Sequence, residues 1–209
     1  MLSLEEIKIY LPKYLSPESE ENLFDQLKQF PENIDDRLYT NYVLEPQLIY
    51  QGDGIEGLLV VNLPDTQIRP ARGMILSNTC DVDERNQRLF PSSLVYAPIF
   101  NLEKYQKGLL ASEILKDAGP IEDHIYAIKK QRITQIFYLP KGGALENESI
   151  VFLDRVNSCD NSFLSKVEIK DIRLFTLSNY GLYLFIFKLS VHFTRITEGI
   201  DRSPHCTPS

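Results

Sequence analysis

Apolar positions recur at two different periods along this chain. Near the start, Leu23, Phe24, Leu27 and Phe30 fall at helical spacing behind Ser16-Pro17. That dipeptide supplies a capping hydroxyl and a proline suited to the first helical position. Ser3 and Glu6 form a capping box for an earlier helix that Pro12 ends or kinks, and Pro31 stops the second run. At the other end, Leu182, Phe185, Ile186, Leu189, Phe193 and Ile196 follow i, i+3, i+4, i+7, i+11 and i+14. This places them on one face of a helix capped by Ser178 or Asn179 and closed by Gly199. Tyr183, Phe185 and Phe187 also alternate as a strand would, but the run is long for a strand.

Between these ends the period shortens. From about Leu48 the chain reads as strands: Leu48-Ile49-Tyr50 before the turn Gly52-Asp53-Gly54, then GLLVVNL over 57–63 punctuated by Pro64-Asp65. Met74–Ser77 and Leu94–Ala97 continue the series, with a polar excursion from Asn78 to Pro91 between them. Asn101–Gly119 predicts a helix through Leu102, Tyr105, Leu109, Ile114 and Leu115, ended by Gly119-Pro120. Strands return at 135–139, 150–154 and 166–169, with Pro140–Gly143 as a turn. Short strands not regularly separated by helices predict an α+β protein with an antiparallel, barrel-like sheet. The expected organisation is an N-terminal helical segment over 1–45, a barrel domain over 46–200 with a helical insertion at about 101–131 and a C-terminal helix, and a loose tail over 201–209.

Two blocks carry a family likeness. The first runs VVNLP, RPARGMILSN, a polar loop and SLVYAPI over Val60–Ile99; the second runs SIVFLDRVNSCD and VEIKDIRL over Ser149–Leu174. Their order resembles toxins of the MazF/PemK type, in which Arg-Pro leads into an apolar strand ending in serine, a strand with a proline motif follows, and an aspartate-containing strand near a basic residue comes later. Arg69-Pro70, Ile75-Leu76-Ser77, Ala97-Pro98-Ile99 and Leu153-Asp154-Arg155 stand in those places. The resemblance implies an SH3-like antiparallel β-barrel, a homodimer, and a toxin–antitoxin or phage-defence setting. Those toxins cleave RNA with an arginine and a hydroxyl just after the proline motif. Here Pro98 precedes Ile99, Phe100 and Asn101, so no hydroxyl follows. The expectation is therefore a non-catalytic binding or regulatory protein, with a protein or RNA partner. The alternative is an endoribonuclease acting on single-stranded RNA through relocated residues, Arg69, Arg72 and Ser77.

Charge narrows the partner classes. The net charge is -7, so a protein that coats nucleic acid with basic side chains is excluded. Local basic groups remain: Arg85 and Arg88 in the polar excursion, and Lys129, Lys130 and Arg132 beside Tyr126, Phe137 and Tyr138. Such a cluster suits a phosphate backbone with a stacked base, or equally a charged loop whose aromatics are in the core. Cys80 before Asp81 reads as a nucleophile needing a base such as His124 or His192, or as a filler at a strand end with Asp81 capping the loop. Asp81, Asp83 and Glu84 match no calcium loop, and no cofactor or metal motif occurs. Cys80, Cys159 and Cys206 are odd in number and widely spaced, which fits reduced thiols. The start MLSLEEIKIY lacks a basic n-region, and Leu182–Leu189 is too short to span a bilayer. A cytoplasmic protein is expected.

Overall fold

The computed structural model describes residues 17–32, 34–83, 85–86, 89–90, 92–112 and 118–194. The Ser3–Glu6 box, Pro12, Glu84, Arg88, Ile114, Leu115, Ile196, Gly199, Cys206 and the expected tail lie outside them.

The protein is mixed α+β. Helix α1 covers Pro17–Lys28 and the single turn α2 covers Ile34–Arg37. Strands β1 (Tyr39–Thr40), β2 (Gly54–Asn62) and β3 (Asp65–Ile75) follow, then the short helix α3 (Thr79–Val82) and the long strand β4 (Ser93–Asn101). Helices α4 (Leu102–Ala111) and α5 (Ala118–Lys129) precede β5 (Ile136–Leu139), β6 (Ser149–Phe152) and β7 (Asn157–Asp160). A 3₁₀ helix (Asn161–Lys166), the turn α6 (Ile169–Ile172), β8 (Arg173–Leu177) and α7 (Asn179–Thr194) complete the fold. All pairings are antiparallel, in the order β1-β8-β2-β3-β4-β6-β5, with β7 also on β4. The sheet is open, not the closed barrel expected from the resemblance. One core holds Met74, Phe137, Ile150 and Phe185; a second holds Ile55, Leu58, Ile75 and Tyr96.

Several local expectations shift. The single helix over 101–119 is two helices, because Gly119-Pro120 opens α5 instead of closing α4; proline fits a first turn, where its missing N–H is no loss. Asn101 caps α4 by accepting from the Lys104 N–H at 2.8 Å. The segment 166–169 is not a strand: it runs from the end of the 3₁₀ helix into α6. Leu48-Ile49-Tyr50 is loop, with Ile49 buried. Strands β1, β7 and β8 had no signal, being two to five residues long.

Helix α7 starts as expected, with Ser178 Oγ accepting from the Gly181 N–H at 3.1 Å. Its buried residues are Tyr180, Gly181, Tyr183, Leu184, Phe185 and Lys188; of the expected stripe, Phe185 is buried, Leu182, Ile186 and Leu189 pack half-buried against the core, and Phe193 is exposed. Gly181 is required there, because a Cβ would run into the Leu38 carbonyl oxygen. Helix α1 seats Leu23 against Tyr180 and Tyr183 of α7.

Lys188 is buried, and its ammonium donates to Gln131 O at 3.0 Å and Gln131 Oε1 at 2.6 Å. Gln131 has a left-handed backbone (φ 54°), and its side chain also pairs with the Tyr138 backbone, donating to O at 2.8 Å. Among the described residues no carboxylate compensates the charge, and burial pulls the Lys188 pKa down to about 7.

Asp53 is fully buried and meets Arg173 Nε through Oδ2 at 3.0 Å. Arg173 also donates to the carbonyls of Pro46, at 2.9 Å, and Leu48. Desolvation pushes Asp53 up to about 6 in spite of this partner, and its Oδ1 is buried without a hydrogen bond.

The edges of the β2–β3 hairpin are sealed in different ways. Leu59 pairs with Pro70 and Val61 with Ile68. The backbone of β2 at these positions points away from β3, because Leu59 O accepts from Tyr96 Oη and the Val61 N–H donates to Asn157 Oδ1 at 3.0 Å. By the same alternation, Pro70 stands where β3 would offer an N–H outward, and it has none.

Three outcomes are expected. Arg173→Met leaves Asp53 buried and unpaired, and urea unfolding should show a loss of about 3–5 kcal/mol; a loss under about 1 kcal/mol would show that the pair is not a clasp. Lys188 is neutral in the fold above about pH 7 but stays protonated in the unfolded chain up to its ordinary value of 10.5. Stability should therefore rise across that window by up to about 1.4 kcal/mol per pH unit, and Lys188→Met should remove the slope; parallel profiles would contradict it. Pro70→Thr restores an outward N–H on β3, and concentration-dependent association should appear by light scattering.

Candidate functional site

Between the outer half of β2 and the segment Asp154–Cys159 lies a groove of about 710 Å³. Buried Tyr96 and Pro98 of β4 form its floor, and Leu59, Val61 and Val156 form exposed apolar walls. The hairpin extends past the point where β4 pairs with β3, at Gly73–Ile75, so β2 has no ladder partner beyond Ile55 except β3. The space a further strand would fill is the groove.

One end of the groove is aromatic. Phe100 and Phe152 pack edge to face at 5.5 Å, and Tyr105 packs on Phe152 at 5.6 Å. The Arg155 guanidinium carbon sits 4.3 Å from the Phe152 centroid and 5.3 Å from that of Phe100. Behind this cluster, Tyr105 Oη and His124 Nε2 are 3.0 Å apart. Beside Arg155, Asp154 Oδ2 accepts from Gln135 Nε2 at 2.5 Å. Asn157 is held by the Val61 N–H and by the Arg155 carbonyl, to which it donates at 3.4 Å. At the far end, burial pushes the Cys159 thiol up and the Tyr96 phenol to about 12, so neither ionises at neutral pH.

The residues singled out from sequence do not converge here. Arg69 lies in the exposed half of β3 with a 2.5 Å hydrogen bond to Gln67, and Arg72 faces Glu56 at 3.4 Å. Ser77 follows the end of β3, where its hydroxyl accepts from the Val95 N–H at 2.7 Å and donates to Ser93 O at 3.3 Å. Six residues of strand separate Arg69 from Ile75, about 20 Å of rise, so Arg69 and Ser77 do not share a site. Arg85 is clamped by Asp83 and Glu45, each at 2.8 Å.

Lys129 pairs with Glu148 at 2.7 Å and Lys130 with Glu32 at 2.6 Å. The Arg132 guanidinium lies 5.6 Å from the Tyr126 centroid. Of the three aromatics near this cluster, Phe137 and Tyr138 are core residues, whereas Tyr126 is exposed beside Lys130 and Arg132. A polar pocket of about 260 Å³ adjoins Lys129, Lys141 and Glu148. Burial raises Glu148, but hydrogen bonds from Lys129 and Tyr138 outweigh it and hold the carboxyl below its usual range. Cys80 is exposed in α3, whose cap is Asn78, accepting from the Cys80 N–H at 2.9 Å.

Arg155 and Asn157 are the functional candidates that residue-by-residue reading passed over. Asp154-Arg155 stood in a motif block, but nothing in the sequence places Arg155 over two rings. Among the described residues, no group of three His, Cys, Asp or Glu is placed to hold a metal, and no helix is long and apolar enough to cross a membrane. No protein-family model matches this chain, and no curated protein is significantly similar to it.

Proposed function

We propose that the protein is a non-catalytic binding or regulatory protein, built on an SH3-like sheet opened along one seam, and that the groove at this seam receives its ligand. The observation that carries the reading is the groove itself: about 710 Å³ of mostly apolar space, within the range of ligand sites. Its lining contains no histidine, and its one cysteine is held as the thiol. The exposed apolar walls belong to the hairpin, where they serve neither core. A cytoplasmic, homodimeric protein of a toxin–antitoxin or phage-defence system is the setting suggested by the strand order alone. The ribonuclease alternative has weaker support, because Arg69, Arg72 and Ser77 are separated and Ser77 is already hydrogen-bonded at both ends.

Nile red, a neutral apolar dye, should bind the folded protein saturably with a blue-shifted emission. Leu59→Asp with Val61→Asp should weaken it by about tenfold while the melting temperature holds, since both side chains are exposed. Unchanged dye binding in that variant would remove the groove from the reading. Incubated single-stranded RNA should stay intact; cleavage that Arg69→Ala or Arg72→Ala abolishes would replace the binding reading by the ribonuclease one.

A further inference from the structure

From the stacked position of Arg155 at the end of the apolar groove, we infer that the ligand is a free single-chain organic carboxylate, with its tail along Leu59, Val61 and Pro98 and its head on the Arg155 guanidinium. The inference rests on the groove being the binding site and adds the class of molecule that it takes.

Three observations select this class. The first is the state of Arg155. Its guanidinium carbon lies 4.3 Å from the Phe152 centroid and 5.3 Å from that of Phe100, and among the described residues its N–H donors have no hydrogen-bond acceptor. The neighbouring carboxylate, Asp154, is turned to Gln135. A planar fork held by two rings and left without an acceptor matches a carboxylate, which it can engage with two parallel hydrogen bonds.

The second is the sealed seam. A peptide strand entering the groove would need outward-pointing backbone groups on β2. Of the four outward groups at Leu59 and Val61, two, Leu59 O and the Val61 N–H, are already occupied, by Tyr96 and Asn157. A peptide would bring a row of amides with few partners. A hydrocarbon tail brings none.

The third is charge. Arg155 and Asp154 are the only ionised side chains lining the groove, so it carries one accessible cation and little net field. A nucleic-acid strand would bring a phosphate at every nucleotide to a site with a single positive head. A monoanion is matched. The wall from Leu59 to Leu63 is about 13–16 Å long by strand rise, which suits a medium-length chain.

Isothermal titration at pH 8, with decanoate, decanol and decyltrimethylammonium below their micelle concentrations, tests this directly. Decanoate should bind tightest, exceeding decanol by roughly tenfold, the worth of a charge-assisted hydrogen bond, and decyltrimethylammonium should not bind. Arg155→Gln should bring decanoate down to the decanol level with Nile red binding and melting temperature unchanged. Arg155→Lys, which keeps the charge and loses the fork, should fall between. Equal affinity for decanoate and decanol overturns the inference, as does an Arg155→Gln variant that keeps the preference. So does displacement of decanoate by a single-stranded oligonucleotide, or binding to phosphatidylserine vesicles without binding to decanoate. Nile red binding without anion preference leaves the groove reading standing and removes only the ligand class; loss of both removes both.

Discussion

The fold turns on a single buried charge pair. β8 reaches β2 through just two register pairs, Gly54–Phe175 and Ile55–Arg173, with a shift between them. So short a ladder fixes little by itself. What fixes it is Arg173, which binds Asp53 just ahead of β2 and the carbonyls of Pro46 and Leu48, and lies near the Tyr50 ring. One guanidinium thereby ties the loop before β2 to the strand beside it. Asp53 is fully buried, and its desolvation outweighs the pull of Arg173 on its carboxyl. Such a pair contributes less through net attraction than through the cost of any arrangement that separates it. Gly52, at φ 88°, makes the turn that presents Asp53 to it. The root of the hairpin is set here, and with it the direction in which the hairpin projects and the width of the groove.

A hairpin projecting from an open sheet carries an aggregation hazard on each edge. This protein meets the hazard on β3 with a proline and on β2 with side chains from elsewhere. Tyr96 and Asn157 give the β2 backbone what a neighbouring strand would have given, without the strand. The seam is partly satisfied in hydrogen bonds yet empty in volume. An edge ready for strand addition would have both needs unmet together.

The sequence was informative wherever a long periodic run decides the element. β2, β4 and the two terminal helices of the described chain follow from apolar spacing and caps, β6 from its short apolar run, whereas most of β3, from Asp65 to Gly73, shows no strand pattern. Strands of two to five residues such as β1, β7 and β8 carry too few positions to show a period, and their pairing is decided by distant neighbours. Gly119-Pro120 failed for a different reason: proline is compatible with both the end and the first turn of a helix, and only α5 beyond it resolves which. On α7 the run from Leu182 to Leu189 is apolar nearly all round, so two faces competed. Lys188 marked its own face as the solvent side, whereas packing against Gln131 buried it. The site was harder to see. Groove walls come from β2 and from the turn after β6, nearly a hundred residues apart, and Arg155 acquires its meaning from Phe100 and Phe152 only once β4 and β6 pair.

Several basic residues clustered in sequence have carboxylate partners in the fold, and the consequence is electrostatic. In a chain of net charge -7 most cations near carboxylates are neutralised where they stand: Arg85 by Asp83 and Glu45, Lys129 by Glu148, Lys130 by Glu32, Arg173 by Asp53. Each spends its donors on internal contacts and projects little field. Arg155 differs because aromatic faces hold it in place while consuming none of its N–H groups. A quadrupole orients the guanidinium where a carboxylate would have quenched it. Among the described residues, a cation supported by rings in this way keeps its donors open, and one of the rings beside Arg155, Phe100, lines the apolar groove.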